Sequence, residues 1–165
     1  MKNTTVSAEL MSLLVDATAR EMKVAMQYML QHTLFTGEDS TGSKAAGFVA
    51  SHRSVFLPGK SLKKIAITEM RHAEAVAERI SNLGGALPSQ PLPFVVGKTL
   101  ADILEIDKAE EEAAIKLYNQ IIETAGKEGD DRTERLFKKI LSDEEGHHRT
   151  FVSLLVEATK GSFST

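Results

Sequence analysis

Two short segments of the 165-residue chain share one spacing: Glu69-Met70-Arg71-His72 and Glu144-Glu145-Gly146-His147 each set a glutamate three residues ahead of a histidine. On a helix, positions i and i+3 share a face, so a carboxylate oxygen and an imidazole nitrogen can turn toward one point. Those donors suit divalent first-row metals. A single such pair is commonplace as a solvated ion pair. Here the pairs lie in apolar stripes: Glu69 and His72 are in register with Leu62, Ile65, Ala73 and Val76, and Glu144 and His147 lie between Ile140 and Phe151. Two further glutamates intrude in the same way. Glu21 is four residues after Ala17 and seven before Tyr28, and Glu111 is seven after Leu104 and seven before Tyr118.

The order is therefore Glu, Glu-x-x-His, Glu, Glu-x-x-His. Four carboxylates converging in an apolar interior would each cost on the order of several kcal/mol in desolvation and would repel one another, unless cations accompany them. Two divalent ions resolve the conflict. Each histidine offers one nitrogen, and each Glu of a Glu-x-x-His can bridge or chelate, which is the donor set of di-iron and di-manganese carboxylate bundles. In the last segment Glu145 and His148 repeat the spacing one residue on. Spacing alone leaves both registers open. Gln27, Asp107, Asn119 and Gln120 are polar candidates for the surroundings of such a site.

With no cysteine, a thiolate site, a disulfide framework and a cysteine nucleophile are excluded. A 42% hydrophobic fraction with 26% charged residues is that of a globular chain able to bury a core, and a net charge of −3 speaks against a nucleic-acid binder. Leu10 to Val15 is too short for the roughly 7–15 apolar residues of a signal core, and no stretch approaches the roughly 20 of a membrane span, so the expected location is cytoplasmic.

Helix breakers divide the rest. Prolines occur only at 58, 88, 91 and 93, and most glycines lie near them or between residues 37 and 59. The intervals predict helix A over about 7–36, an AB connection over 37–59, helix B over about 60–83, a BC crossover over 84–98, helix C over about 99–126 and helix D over about 130–160. The expected fold class is all-α, a four-helix bundle with a long crossover between B and C and no fifth helix, forming one domain over 1–165. Stripes at three- and four-residue spacing support each helix: Leu10, Leu13, Leu14, Ala17, Val24 in A, and Leu136, Phe137, Ile140, Leu141, Phe151 in D. Lys60 or Ser61 is expected to open helix B, Gly84-Gly85 to close it, and Thr99 with Asp102 to cap helix C. Lys44 to Phe56 reads as a short extra helix.

The segments Arg20-Glu21-Met22-Lys23-Val24-Ala25-Met26-Gln27-Tyr28, Leu104 to Glu111, Glu69-Met70-Arg71-His72-Ala73 and Asp143-Glu144-Glu145-Gly146-His147 resemble the ligand segments of bacterioferritins, and more broadly of ferritin-like proteins. The resemblance implies six metal ligands, Glu21, Glu69, His72, Glu111, Glu144 and His147, and so prefers the Glu144/His147 register. It implies Tyr28 as an aromatic neighbour of the ligands, and sets Met70 where bacterioferritins carry the methionine that binds haem b. Two departures stand out: the 37–59 connection is longer than the family's first hairpin, and only Gly161 to Thr165 follow helix D.

By this resemblance the chain is expected to be a ferroxidase and iron-storage protein. It would hold two iron ions per subunit, with manganese an alternative, and use oxygen or hydrogen peroxide in a hollow homo-oligomeric shell. The rival on the same bundle is a rubrerythrin- or manganese catalase-like enzyme that removes peroxide. A third reading, a DNA-protecting mini-ferritin-like shell, lacks the residue set and the basic tail it would need.

Overall fold

The computed structural model describes residues 6–36 and 56–161. Among these residues the chain forms four helices and no strand: α1 (Ala8–Thr36), α2 (Phe56–Asn82), α3 (Leu100–Glu128) and α4 (Asp131–Gly161). α1 packs along α2 and α3 along α4, while contacts of α1 with α3 and of α2 with α4 close the bundle.

Contacts between named residues fix the helix directions. Gln31 of α1 meets Asp107 of α3, Tyr28 meets Glu111, and Ser7 ahead of α1 meets Glu128, so α1 and α3 are antiparallel. Arg79 of α2 meets Asp130 at the head of α4, and His72 meets Glu144 further along, so α2 and α4 are antiparallel too. With His32 against Gly59 and Glu21 against His72, α1 and α2 are also antiparallel. α2 and α3 must then run parallel, and their connection has to traverse the bundle. It does so along α1: the Leu92 N–H donates to the Ala19 carbonyl at 3.2 Å, and Gln31 Nε2 donates to the Val96 carbonyl at 3.0 Å.

Helix ends follow local chemistry. Thr99 is extended (φ −126°, ψ 163°), and its hydroxyl accepts the Asp102 N–H at 3.1 Å, satisfying one orphan donor of α3. Gly129 (φ 73°) closes α3 in the left-handed region, and the Asp130 N–H returns to the Ala125 carbonyl at 2.9 Å. After α2, the Gly84 and Gly85 N–H groups bond to the Ser81 and Ile80 carbonyls, as the paired glycines predict.

The start of α2 corrects the sequence reading. The helix opens at Phe56, not near residue 60, and takes Pro58 into its first turn. A proline there loses no helical hydrogen bond, because the first N–H groups have no partner to lose. Neither Lys60 nor Ser61 caps the helix; both lie inside it. The short helix expected over 44–56 falls outside the described residues except at Phe56, which begins α2.

The core is in two parts. One gathers Leu10, Leu14, Val76, Ile80, Tyr118 and Phe137, the other Val24, Tyr28, Leu62, Leu104 and Phe151. On each helix the site residues lie between the positions given to these two clusters. Among the described residues no helix is long and apolar enough to cross a membrane.

Candidate metal centre

All four stripe glutamates, Glu21 of α1, Glu69 of α2, Glu111 of α3 and Glu144 of α4, are fully buried, and His72 is 6% exposed. Helical register delivers them. Each is in phase with its apolar stripe, so the packing that buries Leu14, Ile65, Leu104 and Ile140 carries the carboxylates inward as well.

The ligand atoms fall into two overlapping groups. Donor atoms of Glu21, Glu69, His72 and Glu144 lie within 4.8 Å of one another, and so do those of Glu69, Glu111, Glu144 and His147. Glu69 and Glu144 belong to both. Each half thus has one glutamate and one histidine of its own, and the two remaining carboxylates lie between them. Both histidines turn Nδ1 inward: His72 Nδ1 is 2.9 Å from Glu69 Oε2 and 2.9 Å from Glu144 Oε1, and His147 Nδ1 is 2.7 Å from Glu69 Oε1. The imidazole rings are 6.2 Å apart and inclined by 29°.

Close approach is not the same as satisfaction here. Glu21 Oε2, Glu69 Oε1, Glu111 Oε2, both oxygens of Glu144 and Nδ1 of His147 are buried and make no hydrogen bond. Buried polar atoms are normally paired, and six together facing one centre is the donor geometry that a pair of cations satisfies. The hard and borderline character of the set fits iron or manganese.

Without ions, protons must balance the charge. Burial, reinforced by Glu144 and Glu69, holds the Glu21 carboxyl well above the usual range. Glu111 is raised in the same way by burial, Glu69 and Glu144. Burial alone would lower the histidines, but contacts with Glu144 and Glu69 push His72 up to about 11 and His147 to about 9. Glu144 moves down despite its burial, because His147 and His72 both lie against it.

Two tyrosines hold the outer carboxylates. Tyr28 Oη donates to Glu111 Oε1 at 2.5 Å, and Tyr118 Oη donates to Glu21 Oε1. Each ring packs on a phenylalanine of α4, Tyr28 on Phe151 and Tyr118 on Phe137, with centroids 5.3 and 5.2 Å apart. Beside them, Arg20 is buried, donates to the Glu110 carbonyl, and places positive charge near Glu21 and Glu111. His72 Nε2 lies 3.2 Å from Asp143 Oδ2.

The structure brings together Glu21, Glu69, His72, Glu111, Glu144, His147 and Tyr28. It leaves the alternative register outside: Glu145 is exposed, and His148 pairs with Glu112 at 3.2 Å. Met70 is 57% exposed, away from the buried cluster. Asn119 and Gln120 are exposed and do not join the site's surroundings. Gln27 and Asp107 are buried and bonded to each other at 3.0 Å. The sequence reading missed the roles of Tyr118, Asp143, Arg20 and Gln31. Only Tyr118 carried a usable signal, since it follows Glu111 by the same seven residues that separate Tyr28 from Glu21.

Comparison with known proteins agrees with this architecture. The family model described as a ferritin-like domain matches residues 59–160. The bacterioferritin of Desulfovibrio desulfuricans is 37% identical over 141 residues, covering 85% of this chain and 70% of the relative. That of Rhodobacter capsulatus is 35% identical over 89 residues, covering 53% of this chain and 55% of the relative. A solved D. desulfuricans bacterioferritin, described with its diiron site in different catalytic states, superposes with a TM-score of 0.76 at 30% identity, over 93% of this chain and 81% of that one. Mycobacterium tuberculosis bacterioferritin BfrA shares the fold, with a TM-score of 0.78 at 24% identity over 93% of this chain and 88% of that one. A buried Glu, Glu-x-x-His, Glu, Glu-x-x-His set on four helices, matched along most of its length by such relatives, makes this chain a member of the ferritin-like family, among the bacterioferritins.

Proposed function

We propose that the protein is a ferroxidase that oxidises Fe(II) to Fe(III) with oxygen or hydrogen peroxide and retains the product as stored iron. The observation that carries this reading is the pair of overlapping donor groups sharing Glu69 and Glu144, with buried oxygens that no protein hydrogen bond satisfies. Glu21 and His72 would hold one ion and Glu111 and His147 the other, with Glu69 and Glu144 common to both donor groups. A bound iron pair supplies the two electrons that reduce the oxidant. The protein's part is positional and protonic. Tyr118 and Tyr28 hold the outer carboxylates, and the imidazoles and outer carboxyls release their protons as ions enter.

The reading extends to a single domain over 1–165, a cytoplasmic location and a hollow homo-oligomeric shell. Manganese is the alternative metal, since the same donors serve it. Met70 is exposed and so accessible to haem b, and an absorption spectrum of the purified protein tests whether it binds there.

The experiment that tests the function is elemental analysis on protein separated by size exclusion with light scattering, after loading with Fe(II) in air. A large assembly retaining iron far beyond two per chain supports storage. A dimer or tetramer saturating at about two iron or manganese ions per chain, with rapid peroxide turnover, favours the peroxide-removing enzyme instead.

A further inference from the structure

The two histidines of the site are held differently. His72 turns Nδ1 to Glu69 and Glu144 and Nε2 to Asp143 Oδ2, 3.2 Å away. The carboxylate approaches of His147, to Glu69, Glu111 and Glu144, all run through Nδ1, and among the described residues none is made to Nε2. The difference is built into the sequence. Asp143 immediately precedes Glu144 in its Glu-x-x-His and reaches across from α4 to the histidine of α2. The position preceding Glu69 in the other Glu-x-x-His is Thr68, whose hydroxyl bonds its own helix at the Lys64 carbonyl, 3.2 Å away. No carboxylate stands there to do for His147 what Asp143 does for His72.

Resting on the two-ion reading above, we propose that Asp143 is a positioning residue for His72 and makes the Glu21/His72 half the tighter of two unequal ion-binding positions. A carboxylate that accepts the Nε2 proton fixes the tautomer with its lone pair on Nδ1, holds the ring plane, and makes Nδ1 a better donor. Among the described residues the histidine of the other half has carboxylates only at the Nδ1 that faces the centre. The sharing of Glu69 and Glu144 does not remove this inequality, because both carboxylates belong to both donor groups.

The test is a titration of the assembled metal-free protein with Co(II), followed by visible absorption and calorimetry, with no reliance on turnover. Wild type is expected to bind two Co(II) per chain in two resolvable steps. Asp143→Ala is expected to weaken the tighter step about 10–100-fold and leave the weaker one within about twofold, the cost typical of removing such an outer partner. Asp143→Asn keeps an acceptor oxygen for Nε2–H and is expected to recover most of that loss. In a His72→Ala background, adding Asp143→Ala is expected to change nothing further, since Asp143 acts through the ring. Equal weakening of both steps in Asp143→Ala, an unchanged titration, two indistinguishable steps in wild type, or an additive loss on His72→Ala overturns the proposal. A wild-type chain that takes fewer than two Co(II) overturns the two-ion reading itself.

Discussion

Tyr118 of α3 donates its hydroxyl to Glu21 of α1, and Tyr28 of α1 donates to Glu111 of α3, so each outer carboxylate is held by the helix opposite its own. The reciprocity follows from antiparallel packing. Glutamate and tyrosine are two turns apart on both helices, and reversing one helix sets each glutamate beside the other's tyrosine. Tyr118→Phe should leave the chain folded, because the ring stays packed on Phe137. It should weaken ion binding at the Glu21 half about tenfold and slow Fe(II) oxidation accordingly. Stopped-flow oxidation and Co(II) titration check this, and an unchanged titration would remove Tyr118 from the site's function.

The shared position of Glu69 separates it from Glu21. Since Glu69 belongs to both donor groups, Glu69→Ala should abolish rapid Fe(II) oxidation and reduce binding at both positions, whereas Glu21→Ala should spare one ion. His147→Ala should also abolish rapid oxidation. The bundle should survive Glu69→Ala and Glu21→Ala, because removing a carboxylate from a charge-crowded interior relieves repulsion. Initial oxidation rates that match wild type in both Glu69→Ala and His147→Ala would sink the assignment.

How far the residues alone reveal this site depends on what periodicity encodes. An apolar stripe reports which face of a helix turns inward, so the six buried donors were legible as charged residues in phase with leucines. The choice of Glu144/His147 over Glu145/His148 needed more, since neighbouring residues differ by only about 100° on a helix and the broad stripe of α4 admits both. Burial decides it. The roles of Asp143 and Arg20 were not legible, because their partners lie on other helices and arise only when those helices pair. The start of α2 was misplaced for a local reason: Pro58 breaks a helix interior but is welcome in a first turn.

Ion binding should rise steeply with pH. In the metal-free site His147, near 9, and His72, near 11, are both protonated at neutral pH, so an entering ion must displace a proton from each Nδ1. Each proton displaced per ion raises apparent affinity about tenfold per pH unit. Between pH 6 and 8 the affinity for Co(II) should therefore grow by at least about tenfold per unit, with proton release seen by calorimetry in buffers of different ionisation enthalpy. A pH-independent affinity would mean that the imidazoles are already neutral.

At the end of the bundle where α2 finishes and α4 begins, Arg79 donates to both oxygens of Asp130 at 2.7 Å and, through Nε, to Thr133 Oγ1 at 2.8 Å. Asp130 also accepts the Thr133 N–H at 3.2 Å, so one carboxylate both caps α4 and ties it to α2. Asp130→Ala should cost about 3–5 kcal/mol, because it strands a buried guanidinium as well as removing the cap. Chemical denaturation of the metal-free protein measures this. A loss below about 1 kcal/mol would show that water satisfies Arg79.

Asp107 gives the metal-free protein a second pH dependence, separable from that of the ligands. It is fully buried and accepts from Gln27 and Gln31 at 3.0 and 2.9 Å, while its second oxygen and both glutamine Oε1 atoms have no partner. Burial pushes its carboxyl up from 3.8 to about 7, against the lowering effect of the two amides. A group whose folded pKa exceeds its unfolded one binds more protons when folded, so its stabilisation is complete below about pH 4 and is lost as pH rises through about 7. The amide introduced by Asp107→Asn cannot ionise, keeps an oxygen for the glutamine amides, and adds a donor to a cluster whose Gln27 and Gln31 oxygens lack one. Glu21 and Glu111 carry pH dependence of the same sign, so the informative quantity is wild type minus variant. Relative to its value at pH 4, that difference should shift in favour of Asp107→Asn by on the order of 2–4 kcal/mol by pH 8. A difference that stays flat between pH 4 and 8 would mean that Asp107 finds a cation or water in place of its proton.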